Sequence, residues 1–185
     1  IGLGGVGKPK KHESAAKQVA GEAIYVDDQP EARDQLHAAV GQSTKAHANI
    51  TKLDLSKVRA AEGVVSVMTV EDVPGHTDIG PVFPGDPVLA IGKVEFVGQP
   101  IFAVAATSHD LARKAVKLAE IEYEELEAVL TVKDALAKQN FVRPPFTMKR
   151  GDSASAIDAA EHTLSGEITV GGQEHMYLEG QVSSA

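Results

Sequence analysis

Apolar positions recur along the chain with a period that changes several times, and each change marks an element. Between Gln35 and Ser43 the residues Leu36, Ala38 and Val40 are apolar and alternate, as on the buried face of a strand. From Ala46 to Leu55, Ala46, Ala48 and Ile50 are apolar while His47, Asn49 and Thr51 are polar, which predicts a second half-buried strand. Ser56 can cap a short helix through Lys57–Ala61 that Gly63 ends, and the β-branched run Val64–Thr69 predicts a third strand. Ile101–Ala106 is apolar on both faces, the pattern of a strand covered from both sides. Ser108 then caps a predicted helix from His109 to Ala119 with Leu111, Ala115 and Leu118 along one side, and Ile121–Leu126 predicts another strand.

The flanks read differently. Ile1–Lys11 is glycine-rich and then basic without a hydrophobic period, so it reads as an arm; Glu13–Val19 predicts a short helix stopped at Gly21, and Glu22–Val26 turns extended before the acidic turn at Asp27 and Asp28. Pro74–Pro87 gathers most of the turn formers and predicts a long surface excursion. Beyond Ala128, Thr131–Lys138 predicts a short helix, Asn140–Lys149 is irregular, and Asp152 caps a predicted helix to Ala160, which together read as a linker. His162–Val170 alternates through Leu164, Gly166, Ile168 and Val170, Gly171 and Gly172 interrupt it, and Met176–Val182 resumes the extended pattern, so a second domain is expected to begin here. The order strand, strand, helix, strand, long loop, strand, helix, strand mixes hairpin-like and crossover connections and predicts an α+β fold.

Composition narrows the class. With 43% hydrophobic and 24% charged residues in 185, the chain can bury enough apolar surface to offset its conformational entropy, and one core plus a remnant of a second is expected. A net charge of −8 without a basic run argues against nucleic acid as a partner. The absence of cysteine excludes disulfides, thiolate metal sites and thiolate-held iron–sulfur clusters from this chain. Apolar runs fall short of the roughly 20 residues that cross a bilayer, so no membrane contact and a cytoplasmic location are expected. The start at Ile1 and the stop at Ala185, directly after a strand-like run, suggest that both ends are cut.

Several patterns could carry chemistry. Gly2-Leu3-Gly4-Gly5-Val6-Gly7 matches the dinucleotide-binding glycine pattern, yet no strand precedes it, and Lys8-Pro9-Lys10-Lys11 stands where an apolar helix should open. It is read as an arm. The seven histidines form no close ligand pair and are read as solvated or capping groups. Asp27-Asp28 lies in a turn and Glu124-Glu125 late in a strand, where neighbours point to opposite faces, so neither pair suits general acid and base work. Gly171-Gly172-Gln173-Glu174-His175-Met176-Tyr177-Leu178-Glu179-Gly180-Gln181 is different, because two glycines before a dense run of polar donors and aromatics bring a backbone close to something bulky. Composition alone favours the plainer reading of a β-bulge there.

That segment closely resembles the GGQEHFYLE motif of the molybdenum hydroxylases of the xanthine dehydrogenase and aldehyde oxidase family, with Met176 standing where the family usually has phenylalanine. The continuation Glu179-Gly180-Gln181 looks like that of the separate-subunit bacterial xanthine dehydrogenases. Lys11–Ala15 followed by Gly21–Asp28, then Val73-Pro74-Gly75 and Val97-Gly98-Gln99-Pro100-Ile101, resemble further family motifs in the same order. The resemblance implies an N-terminal arm over residues 1–20, an α/β-hammerhead domain over 21–128, a linker over 129–165, and the truncated start of a molybdopterin-binding domain over 166–185.

By the same resemblance, the side-chain amide of Gln173 would hydrogen-bond to an oxygen ligand of molybdenum, a cofactor-binding role; no catalytic base and no metal ligand fall within these residues. The implied activity is hydroxylation of an electron-poor carbon, as in oxidation of hypoxanthine and xanthine to urate. Electrons would leave through iron–sulfur clusters and FAD, held on a partner subunit or domain, to NAD. The molybdenum cofactor would belong to the full-length subunit, with none expected on this chain alone. An oligomer is expected of the complete enzyme, and the isolated chain is expected to be inactive. An aldehyde oxidase-type hydroxylase, or a non-catalytic assembly module docking through Pro74–Pro87, remains the alternative.

Overall fold

The computed structural model describes residues 5–185, which divide into two compact units: Arg33–Met148, and the N-terminal residues up to Ala32 together with Lys149–Ala185. The Arg33–Met148 unit holds all the described strands: β1 (His37–Gln42), β2 (Ala48–Asp54), β3 (Val64–Met68), β4 (Lys93–Val94), β5 (Pro100–Ala106) and β6 (Glu120–Glu125). They form two three-stranded sheets, ordered β1-β5-β3 and β4-β2-β6, with every pairing antiparallel. This is the α+β class that the element order predicts; the all-antiparallel pairing, with no two consecutive strands adjacent, is a finding of the structure.

β5 is the centre of its sheet, and its composition explains why: Ile101, Phe102, Val104 and Ala106 are buried, so only a strand apolar on both faces suits the position. Pro100 lies at its first residue, where a missing N–H costs the ladder least. The core joins both sheets and two helices, α2 (Ser56–Arg59) and α3 (His109–Ala115), through Ala48, Val58, Val67, Val94, Phe102 and Ala115. α3 starts where expected, since Ser108 Oγ accepts from Leu111 N–H at 3.3 Å. α4 (Val132–Ala137) is capped by Thr131, whose hydroxyl accepts from Asp134 N–H at 3.1 Å.

Three expectations for this unit are corrected. In β1 the inward residues are His37, Ala39 and Gly41, while Leu36 and Val40 are 44% exposed, the reverse of the predicted phase. Gly41 lies opposite Phe102, and a Cβ on it would sit 2.1–2.6 Å from three ring atoms, so the inner face of β1 is set by the ring that must fit over it. In β2 Ala48 and Ile50 face inward as predicted, and a register shift between Ile50 and Lys52 then moves the inward phase to Leu53 and Leu55. Asp54, rather than Ser56, serves the start of α2, its Oδ1 accepting from Ser56 N–H at 2.9 Å. Finally, α3 tightens into a 3-10 turn at Val116–Leu118, which swings Leu118 out of the Leu111/Ala115 face and leaves it 44% exposed.

The other unit carries α1 (Ala15–Ala20), closed by Gly21 at φ 72°, a 3-10 turn at Val26–Asp28, and α5 (Ser153–Asp158), capped by Asp152. The strands expected over 162–170 and 176–182 are not formed: residues 163–177 have no secondary structure, and Leu164, Ile168 and Val170 are at least 84% exposed. An alternating sequence becomes a strand only when a neighbour takes its N–H and C=O groups. No described strand of this chain does so.

Candidate functional site

The cofactor-binding candidate, Gln173, is in an extended stretch without ladder hydrogen bonds, so the β-bulge alternative has no sheet to belong to. Its side chain is exposed and has no protein partner among the described residues. A Cβ on Gly171 or Gly172 would meet nothing within 4 Å, and neither residue has a positive φ. The fold of this chain therefore supplies neither a steric nor a conformational reason for two glycines before Gln173.

The residues after Gln173 form a local bend. Glu174 Oε1 accepts from the N–H groups of His175 (2.9 Å) and Met176 (3.4 Å), and Met176 takes a left-handed backbone at φ 55°. The His175 ring stacks on Tyr177 with centroids 5.6 Å apart and planes 3° from parallel. Farther on, Glu179 is half-buried, and its Oε1 accepts from Val26 N–H at 3.1 Å. That contact joins the motif to the Gly21–Asp28 motif, and the sequence carries no signal for it because 153 positions separate its partners.

The other candidates are structural. Of the glycine pattern, Gly2, Leu3 and Gly4 lie outside the described residues; Gly5–Gly7 form a turn, and among the described residues no helix opens before Ala15. Asp28 Oδ2 accepts from Tyr25 N–H at 3.0 Å, and Asp27 lies in the same turn. Glu124 accepts from Asn49 at 2.9 Å and Glu125 pairs with Lys45, so both carboxylates hold β6 to its neighbours. Among the histidines, His12 Nδ1 accepts from Ser14 N–H and His47 Nδ1 lies 2.7 Å from the Glu127 carbonyl. No group of three or more His, Asp or Glu side chains that could hold a metal occurs among the described residues.

The Val97–Ile101 motif joins separate segments, whereas the 74–87 loop is held from within. At the bend before β5, the buried Gln99 accepts from Glu95 N–H through Oε1 at 2.6 Å, and its carbonyl accepts from Ser43 N–H at 2.9 Å. The 74–87 loop is organised by Asp78, whose carboxylate accepts from the N–H groups of Gly80 (2.9 Å), Gly85 (2.7 Å) and Asp86 (3.3 Å). The Gly80 and Gly85 amides hold the Asp78 carboxyl below its ordinary pKa. An aspartate two residues before Gly80 in a proline-glycine loop is a turn signal the sequence did carry. At the loop tip Phe83 lies under the Arg143 guanidinium, 3.4 Å from the ring centroid.

A sequence profile described as aldehyde oxidase and xanthine dehydrogenase, a/b hammerhead domain, matches residues 20–127. The xanthine dehydrogenase of Dictyostelium discoideum is 44% identical over 174 residues, covering 93% of this chain and 12% of the relative. The aldehyde oxidase 2 of Macaca fascicularis is 41% identical over 177 residues, covering 95% of this chain and 13% of its own length. Among solved structures, the aldehyde oxidoreductase from Desulfovibrio gigas is similar at a TM-score of 0.65 and 28% identity, over 81% of this chain and 19% of that one. Quinoline 2-oxidoreductase from Pseudomonas putida 86 is similar at 0.57 and 32%, over 67% of this chain and 17% of its own. The chain thus spans only about an eighth of the length of these curated relatives.

Proposed function

The chain belongs to the aldehyde oxidase and xanthine dehydrogenase family, and on that footing we propose that it is part of the molybdenum-binding subunit of a xanthine dehydrogenase. Its hammerhead domain serves as scaffold, and its last residues begin the molybdopterin-binding domain. The observation that carries the reading is Gln173: an exposed amide without a partner among the described residues, following two glycines that the packing of those residues does not require.

Those features fit a molybdenum cofactor supplied to the complete subunit. When bound, that group supplies the two-electron oxidation of the substrate carbon and the oxygen that enters it. What Gln173 contributes is a neutral N–H donor, which orients an oxygen ligand without adding charge to the site. Gly171 and Gly172 let the backbone approach a bulky group where any side chain would stand in the way. The chain contributes no general base to this reaction, and the cysteine-free sequence leaves iron–sulfur clusters, with FAD, to a partner subunit or domain. The proposed substrate is a purine and the proposed acceptor NAD, with the cytoplasm as compartment. No described helix is long and apolar enough to cross a membrane.

The test is Gln173→Ala in the complete, cofactor-loaded enzyme. Loss of a group that orients a metal ligand typically costs about 10–100-fold in activity, so kcat for xanthine should fall by that factor at equal molybdenum content. A variant indistinguishable from wild type would remove the reading. Xanthine against benzaldehyde as substrate separates the purine from the aldehyde alternative, and the isolated chain should reduce no NAD with either. A second role, as an assembly surface, is favoured by the Asp78-organised loop with Val82 (74% exposed) and Phe83 (50%) at its tip. Unchanged subunit association after deletion of that tip would count against it.

A further inference from the structure

At its N-terminal end, the 3-10 turn Val26–Asp28 presents two backbone N–H groups, those of Tyr25 and Val26, that no preceding turn of helix can satisfy. Asp28 takes the first from within the turn. Glu179 takes the second, from the other end of the chain. Its acceptor is a carboxylate oxygen, so the bond is of the stronger, charge-assisted kind, and Glu179 is half-buried where its neighbours on both sides are exposed.

Glu179 lies six positions after Gln173. Between them the backbone has no ladder and holds its shape locally, through the Glu174 carboxylate on two amides, the left-handed Met176 and the His175–Tyr177 stack. Such a bend fixes the direction of the chain relative to Glu179 but not its place in the unit. The Glu179 to Val26 bond supplies that place.

The geometry points to Glu179 as a positioning residue, which clamps the Gln173 segment to the Val26–Asp28 turn and so decides where the Gln173 amide is presented. The inference rests on the role proposed for Gln173. It also gives the Gly21–Asp28 motif a task, as the other half of the clamp.

The experiment compares Glu179→Ala, Glu179→Gln and Gln173→Ala in the complete molybdenum-binding subunit assembled with its partners. Hydrogen–deuterium exchange at the Val26 amide reads the clamp directly, without turnover. Glu179→Ala should lose protection there by about tenfold or more, whereas Glu179→Gln, which keeps an acceptor oxygen, should stay near wild type. At equal molybdenum content, Glu179→Ala should also lower kcat for the purine, leave KM within about twofold, and alter the electron paramagnetic resonance signature of the metal. Glu179→Gln should restore both. Unchanged exchange at Val26 in Glu179→Ala overturns the clamp. Lost protection with wild-type kcat and signature overturns the positioning role while leaving the Gln173 reading intact. A Gln173→Ala variant with unaltered kcat and signature overturns that reading itself, and the exchange at Val26 shows whether the clamp survives it.

Discussion

Substitution of Gly41 by alanine tests the packing that sets the phase of β1. A Cβ at this position would lie 2.1 Å from Phe102 Cε1 and 2.2 Å from Cζ, short of ordinary carbon–carbon contact by well over 1 Å. Phe102 has no exposed surface, and it belongs to the central strand of its sheet, so the ring cannot swing into solvent and its backbone is held on both sides. Overpacking of this kind costs about 1–3 kcal/mol, and the depth of the overlap puts Gly41→Ala toward the upper end, near 2–3 kcal/mol. With a urea slope of about 2 kcal/mol per molar, the midpoint should fall by roughly 1 M. Phe102→Leu removes the clashing ring atoms, so the double variant should recover about 1–2 kcal/mol relative to additivity. A Gly41→Ala midpoint equal to wild type, or strictly additive single effects, would refute the account.

The Tyr123 hydroxyl is buried with no hydrogen-bond partner among the described residues, so Tyr123→Phe should leave stability unchanged or raise it by up to about 1 kcal/mol; a loss by calorimetry would show that the hydroxyl has an acceptor. Ser108→Ala removes the cap on α3 and should cost about 1 kcal/mol by urea denaturation, with Ser108→Asp near neutral, and equal loss in both variants would contradict the capping role. Because backbone amides hold the Asp78 carboxyl below its ordinary pKa, its contribution is complete at neutral pH and is lost as pH falls below the ordinary aspartate value and through the lowered one. Proteolysis within residues 74–87 should therefore accelerate under acid in the wild type, while Asp78→Asn should be cut faster already at pH 7; equal rates at pH 7 would argue against Asp78 as the organiser.

The chain's own residues determined whatever depends on near neighbours. Ile101–Ala106 is apolar on both faces and became the central strand; Ser108, Thr131 and Asp152 cap helices within the next three residues; Gly21 and Gly63 close turns with φ near 72°. The run from Gly171 to Gln181 pointed to its family for a comparable reason, since a contiguous motif can be read without knowing the fold. Tertiary structure alone decided what depends on distant partners. Leu36, Ala38 and Val40 alternate as well as His37, Ala39 and Gly41 do, and only the Phe102 ring on the facing strand selects the second set. The shift after Ile50, the outward turn of Leu118 and the bond between Glu179 and Val26 are likewise invisible to local periodicity. The alternation over 162–170 shows the limit from the other side, because a strand's pattern is a local property but the hydrogen bonds that make it a strand belong to its neighbours.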